Sequence, residues 1–201
     1  MLQEIPKTYP KTRGIALSAL FAVLLSVFSL ISIPLPFTVV PVTLQVFMIY
    51  LIVNLLGSYY GALSCVFYLL LGAIGLPVFA GGTGGVAVLA GPLGGFLFAF
   101  PVSVIFGGMI SGKVSSSSKM DAVRVIVASV VSLAIIYIIG PLWLDDITNM
   151  GISRAYLLGA VPFIPVDIVK AIFAVPVALY FRRSRNDLPV HRRGLVLKAA
   201  D

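Results

Sequence analysis

The sequence predicts an all-α integral membrane protein: a bundle of six transmembrane helices whose irregular extracytoplasmic loops line a ligand pocket. Composition is the first reason. Of the 201 residues, 60% are apolar and 10% charged, and mean hydropathy is +1.11, whereas a soluble domain is about one quarter charged. The second is segmentation: apolar runs fall at approximately 14–33, 44–56, 58–74, 93–112, 124–144 and 155–181, most of them near the ~20 residues that cross a hydrocarbon core. The third is where the cations lie. Lys7, Lys11 and Arg13 precede the first run, Lys113, Lys119 and Arg124 lie between the fourth and fifth, and Arg182, Arg183, Arg185, Arg192, Arg193 and Lys198 follow the sixth, 12 of the 14 Lys and Arg. Six crossings gather these on one side, which the positive-inside rule makes cytoplasmic together with both termini. The expectation is one membrane domain over 1–185 and a basic cytoplasmic tail at 186–201, in the cell membrane.

The first run is long enough to span and ends in IPLPF without a small-residue cleavage site, so it reads as a retained helix and not a signal peptide. Gly14, Ser18, Ala22 and Ser26 recur along it every four residues, a small-residue ridge that serves either a docking partner or internal packing. Pro34, Pro36 and Pro41 then forbid a helix over 33–43 and favour an extended loop or hairpin. Gln45 opens a second run, short for a span, which breaks at Gly57-Ser58 before the third.

From Gly75 to Gly95 the chain reads GLPVFAGGTGGVAVLAGPLGG, dense in glycine and free of charge. It reads as non-helical backbone lining a cavity, since irregular backbone at membrane depth is tolerated only where protein or water satisfies it. GGMISGKV at 107–114 approaches a phosphate-binding loop but has Val114 in place of the Mg²⁺-binding hydroxyl and ends an apolar run, so it is no nucleotide site. Tyr137 and Trp143 in the fifth run suit a lipid–water interface. Cys65 reads as an inert helix thiol and His191 as a solvated tail residue.

The stretch that organises the rest is VPFIPVDIVKA at 161–171, which places Asp167 and Lys170 inside an apolar run. Each costs roughly 2.5–3.5 kcal/mol at the centre of a membrane helix, so such residues face a bundle interior and usually mark function. Spaced three apart they share a helix face, where they either pair with each other or grip one polar ligand together. Pro162 and Pro165 favour a broken entry and a helix that starts near Pro165. A carboxylate accepts and an ammonium donates, so the pair suits a compact heterocycle with N–H groups beside a carbonyl. Gln45 and Thr43 add polar contacts, and Phe37, Phe79 and Phe96 offer apolar walls. The sequence has no cluster for a metal and no nucleophile–base set, so binding without chemistry is expected. The basic residues have no aromatic interleaving, which argues against nucleic acid.

These residues carry a family resemblance. PVTLQVF at 41–47, GLPVFAGGTGG at 75–85, GPLGGF at 91–96, GPLWL at 140–144 and PFIPVDIVK at 162–170 occur in order and together resemble the BioY family, the biotin-specific substrate-binding component of energy-coupling factor transporters. The resemblance implies biotin as the transported ligand, with no other cofactor. It also implies partners: a membrane coupling protein and two cytoplasmic ATPase subunits, the first meeting the ridge of Gly14, Ser18, Ala22 and Ser26. Asp167 and Lys170 would bind the ureido head, and the glycine-rich segment, including Phe79, Gly82 and Thr83, would cover the other side beside Gln45, Thr43 and Phe96. Leu93, Phe96 and Val166 depart from the GPTGGY and FIPGD patterns common in the family. No cation lies in 76–112 for the ligand carboxylate, which leaves the Gly94-Gly95 amides or, with the ligand reversed, Lys170. A self-sufficient secondary transporter is the competing reading.

Overall fold

The computed structural model describes residues 11–115, 117–184 and 188–189. Lys7, His191 and the basic cluster of the expected cytoplasmic tail lie outside them.

Helix α1 covers Lys11–Leu30 and is built inside out. Its buried face is Gly14, Ser18, Phe21, Ala22, Leu25, Ser26 and Ser29, while Ile15, Leu20, Val23, Val27 and Leu30 stand about half exposed, as side chains meeting lipid should. The small-residue ridge is therefore filled from within the chain. Tyr60 lies so close to Gly14 that a Cβ there would come within 2.2 Å of its ring, and Ser18 Oγ donates to the Tyr60 carbonyl at 2.8 Å. Gly14, Ser18, Ala22 and Ser26 are all buried, which fits internal packing, one of the two roles expected of such a ridge.

The proline-rich segment forms an antiparallel hairpin of β1, Ser32–Leu35, and β2, Thr38–Thr43, paired Ser32 with Thr43 and Leu35 with Thr38 around an irregularity beside Pro34. A two-stranded sheet has only edge strands, so Pro34 and Pro41 cost it little. The fold is thus mostly helical, not all-α. Thr38 Oγ1 ties the hairpin to the Leu158 carbonyl at 2.9 Å.

Helix α2 covers Gln45–Ala73 but is broken at Gly57, whose φ of 72° and ψ of −167° are open to glycine alone. The chain doubles back there. Gln45 Nε2 donates to Tyr68 Oη at 2.6 Å, although 23 residues of straight helix would separate them by about 35 Å. A Cβ on Gly61 would lie 3.4 Å from the Ile52 carbonyl oxygen. In the first arm every residue from Met48 to Leu56 is buried, so an arm apolar all round becomes the central rod of the bundle.

Beyond α2 come a 3₁₀ turn at Ala80–Gly82, a short α3 at Val86–Ala90, and α4 at Gly94–Ser111. Then follow α5 at Ser118–Thr148, α6 at Ile152–Gly159, a 3₁₀ turn at Val161–Phe163 and α7 at Ile164–Ser184. The glycine-rich segment is thus partly helical, and α5 outruns the expected 124–144 at both ends. Among the described residues, five helical stretches are long and apolar enough to cross a membrane: α1, α2, α4, α5 and the stretch from α6 through α7.

One end of the bundle is locked by a group that the sequence reading did not identify. Arg182, counted as a flanking cation, is fully buried. Its guanidinium donates to both carboxylate oxygens of fully buried Asp121 at 2.8 and 3.3 Å, to the Asn54 carbonyl at 2.7 Å and to Ser111 Oγ at 2.8 Å. Four helices, α2, α4, α5 and α7, meet at this one side chain.

Candidate functional site

The site begins where the prolines say it should. Pro162 lies in the 3₁₀ turn and Pro165 near the start of α7, where a missing N–H is harmless. That places Asp167 in the first turn, favoured by the helix dipole, with Lys170 one turn on. Asp167, Lys170, Ala174, Ala178 and Arg182 form the buried stripe of α7. At its upper end Lys170 Nζ donates to Asp167 Oδ1 at 2.5 Å, with side chains only 8% and 2% exposed. On the other carboxylate oxygen, Tyr137 of α5 donates to Oδ2 at 2.5 Å. Tyr50, from the central rod, reaches the Asp167 backbone carbonyl at 3.5 Å.

Above the pair opens a cavity enclosing about 630 Å³ of empty space, its open mouth included. Val40, Pro41 and Thr43 of the hairpin form one wall and Gln45 and Val46 of α2 another. Phe79, Ala80, Phe96, Phe100, Ile136 and Phe163 add further apolar surface. The polar groups are few and already oriented: Thr43 Oγ1 donates to Gln45 Oε1 at 3.0 Å, while Gln45 Nε2 holds Tyr68. Phe79 owes its position to a glycine. Its ring packs so closely on Gly72 that a Cβ there would come within 1.9 Å, and it meets Tyr68 edge-on at 5.4 Å.

Of the expected binding residues, the structure brings Asp167, Lys170, Gln45, Thr43, Phe79 and Phe96 to one cavity. It leaves Gly82 and Thr83 outside the lining. Both are exposed in the turn beyond Ala80, and Thr83 Oγ1 donates to the Ala80 carbonyl. Phe37 is 55% exposed at the hairpin tip and borders a separate recess. The Gly94-Gly95 pair serves packing: the Gly94 amide is bonded to the Gly91 carbonyl, and a Cβ on Gly95 would come within 2.1 Å of Trp143. Trp143 and Tyr137, expected at a lipid interface, turn inward. Trp143 Nε1 donates to the Gly91 carbonyl at 2.9 Å, which pins the glycine-rich segment. Sequence reading missed Tyr137, which lines the cavity, and Tyr68, which holds Gln45, because nothing in spacing ties an aromatic to a polar side chain tens of residues away. Among the described residues no group of three His, Cys, Asp or Glu side chains could hold a metal ion.

The geometry describes an apolar pocket with one charged pair at its base, and sequence comparison gives it a lineage. The sequence model of the BioY family matches residues 3–187. The chain belongs to the BioY family. A relative from Pyrococcus horikoshii described as a probable biotin transporter BioY is 42% identical over 84% of this chain and 95% of its own length. A biotin transporter BioY from Thermotoga maritima is 39% identical over 85% of this chain and 96% of its own. A crystal structure of the S-component for biotin from an ECF-type ABC transporter superposes with a TM-score of 0.76 at 29% identity, covering 89% of this chain and 95% of that one. The match spans nearly the whole BioY length, so the hairpin, the glycine-rich segment and the charged stripe of α7 all fall within family territory.

Proposed function

We propose that this chain is the biotin-binding S component of an ECF-type uptake transporter in the cell membrane, taking biotin from outside and delivering it inward with a membrane coupling protein and two cytoplasmic ATPase subunits. The observation that carries the reading is the Asp167–Lys170 pair at the base of an apolar cavity in a BioY-family chain. An ion pair with this little exposure is costly unless its remaining hydrogen-bonding capacity is met. Lys170 uses one of three N–H donors on Asp167, which leaves donors for a ureido carbonyl, and Asp167 keeps lone pairs for a ureido N–H. Thr43, Gln45, Phe79 and Phe96 contact the rest of the ligand. Biotin is cargo and not a resident cofactor, and the chain binds it without chemical conversion.

The two arms of α2, read as separate crossings, bring the helix count to six and both termini to the cytoplasmic side, a topology supported by the positions of Lys113, Lys119, Arg124 and Arg183. The pocket then opens outward. Isothermal titration of biotin into the detergent-purified chain is the test. Asp167→Asn and Lys170→Met should each weaken binding by about 100-fold or more, as expected when one partner of a buried charge pair is left uncompensated. Normal binding by both folded variants would sink the site assignment, and no binding by the folded wild type would sink the ligand.

A further inference from the structure

We infer that Tyr137 is the positioning residue for the ligand-binding carboxylate, an inference that rests on the proposed biotin site and adds a residue to it. Lys170 sits on the same helix as Asp167, three residues on, at the end of a flexible stem, and it engages only Oδ1. A single donor on a flexible stem leaves the carboxylate free to turn about its last torsion and offer both oxygens to the ammonium. That collapsed pair would turn both oxygens toward the ammonium and leave fewer donors and acceptors facing the cavity.

Tyr137 prevents the collapse. It arrives from α5, a different rigid element, and its phenol donates to Oδ2. Two donors on opposite oxygens, from separate helices, fix the carboxylate plane and keep a lone pair of each oxygen available. Because the phenol has one hydrogen and gives it to Asp167, Tyr137 turns only lone pairs toward the cavity it lines. The charged site is therefore a three-residue device on two helices, with Tyr137 acting through Asp167.

Tyr50 supplies a matched control. It is also a phenol buried against Asp167, but its hydroxyl reaches the backbone carbonyl and not the carboxylate. Biotin titration into the full-length chain should show Tyr137→Phe binding about tenfold more weakly, the size of one charge-assisted hydrogen bond, and Tyr50→Phe changed by less than about threefold. Infrared spectroscopy without ligand gives the second readout. The difference between wild type and Asp167→Asn isolates the Asp167 carboxylate stretch, which should move in Tyr137→Phe and stay in place in Tyr50→Phe. Equal losses of affinity in both variants, an unmoved carboxylate band, or loss of folded protein in Tyr137→Phe alone would each overturn the inference in favour of a packing role. If wild type binds no biotin, the functional reading fails, and the infrared comparison still decides whether Tyr137 holds the carboxylate.

Discussion

Arg182 ends a membrane helix where a cation would ordinarily extend into water, yet it has no exposed surface, and its guanidinium donates instead to Asp121, Asn54, Ser111 and Gly112. Removing one member of such a cluster strands the other. Arg182→Met should lower stability by about 3–5 kcal/mol, read as thermal unfolding in detergent, and adding Asp121→Asn should recover part of the loss. Neither effect requires any change at the cavity, so variants that still fold should bind ligand normally. The two charged groups of α7 differ in how far sequence exposes them. Asp167 and Lys170 interrupt an apolar run, and three-residue spacing is enough to put them on one face. Arg182 sits among Arg183 and Arg185, where a buried cation and a solvated one look alike. Tyr137 is hidden for a related reason: an aromatic near the end of an apolar run fits a lipid interface as readily as a cavity.

Among the elements, the second helix repays attention because a single backbone angle divides it. Gly57→Ala forces a side chain into a conformation that only glycine tolerates, and should cost about 1–3 kcal/mol in thermal unfolding. Gly72→Ala tests the wall of the cavity instead. Its methyl would strike the Phe79 ring, so ligand affinity should fall while the helices stay intact, measurable as a loss in titration with unchanged circular dichroism. The break at Gly57-Ser58 and the start of α7 near Pro165 are visible in sequence because glycine and proline constrain the chain locally. The ends of α5 are not. An apolar-run criterion stops at the first charge, but Asp121 is buried against Arg182 and Asp145 lies within the helix that runs to Thr148. Helix α3 escapes as well, since five apolar residues between glycines are too few to show a period.

At the scale of the whole molecule, buried charge among the described residues is confined to two places. A charged pair beneath an open cavity occupies one end of the α7 stripe, and a closed, fully bonded arginine cluster occupies the other, with Ala174 and Ala178 between them. The central rod of α2 links the two, since Tyr50 touches Asp167 while Asn54 bonds to Ser129 at 3.1 Å and accepts from Ser111 at 2.9 Å. All of those partners lie later in the chain. During synthesis the rod therefore emerges before these partners from later helices, although the Tyr50 carbonyl of the rod itself already accepts from Asn54 Nδ2. Its twelve residues before Gly57 rise only about 18 Å, short of the ~30 Å hydrocarbon thickness that an insertion machinery reads as a span. The rod should enter the bilayer only as one limb of a hairpin and settle only when α7 arrives. Chains truncated before Ile164 should leave a cysteine placed at Val53 open to water-soluble thiol reagents, whereas the full-length chain should protect it. A fold that completes its centre last makes assembly, and not only stability, depend on its final helix.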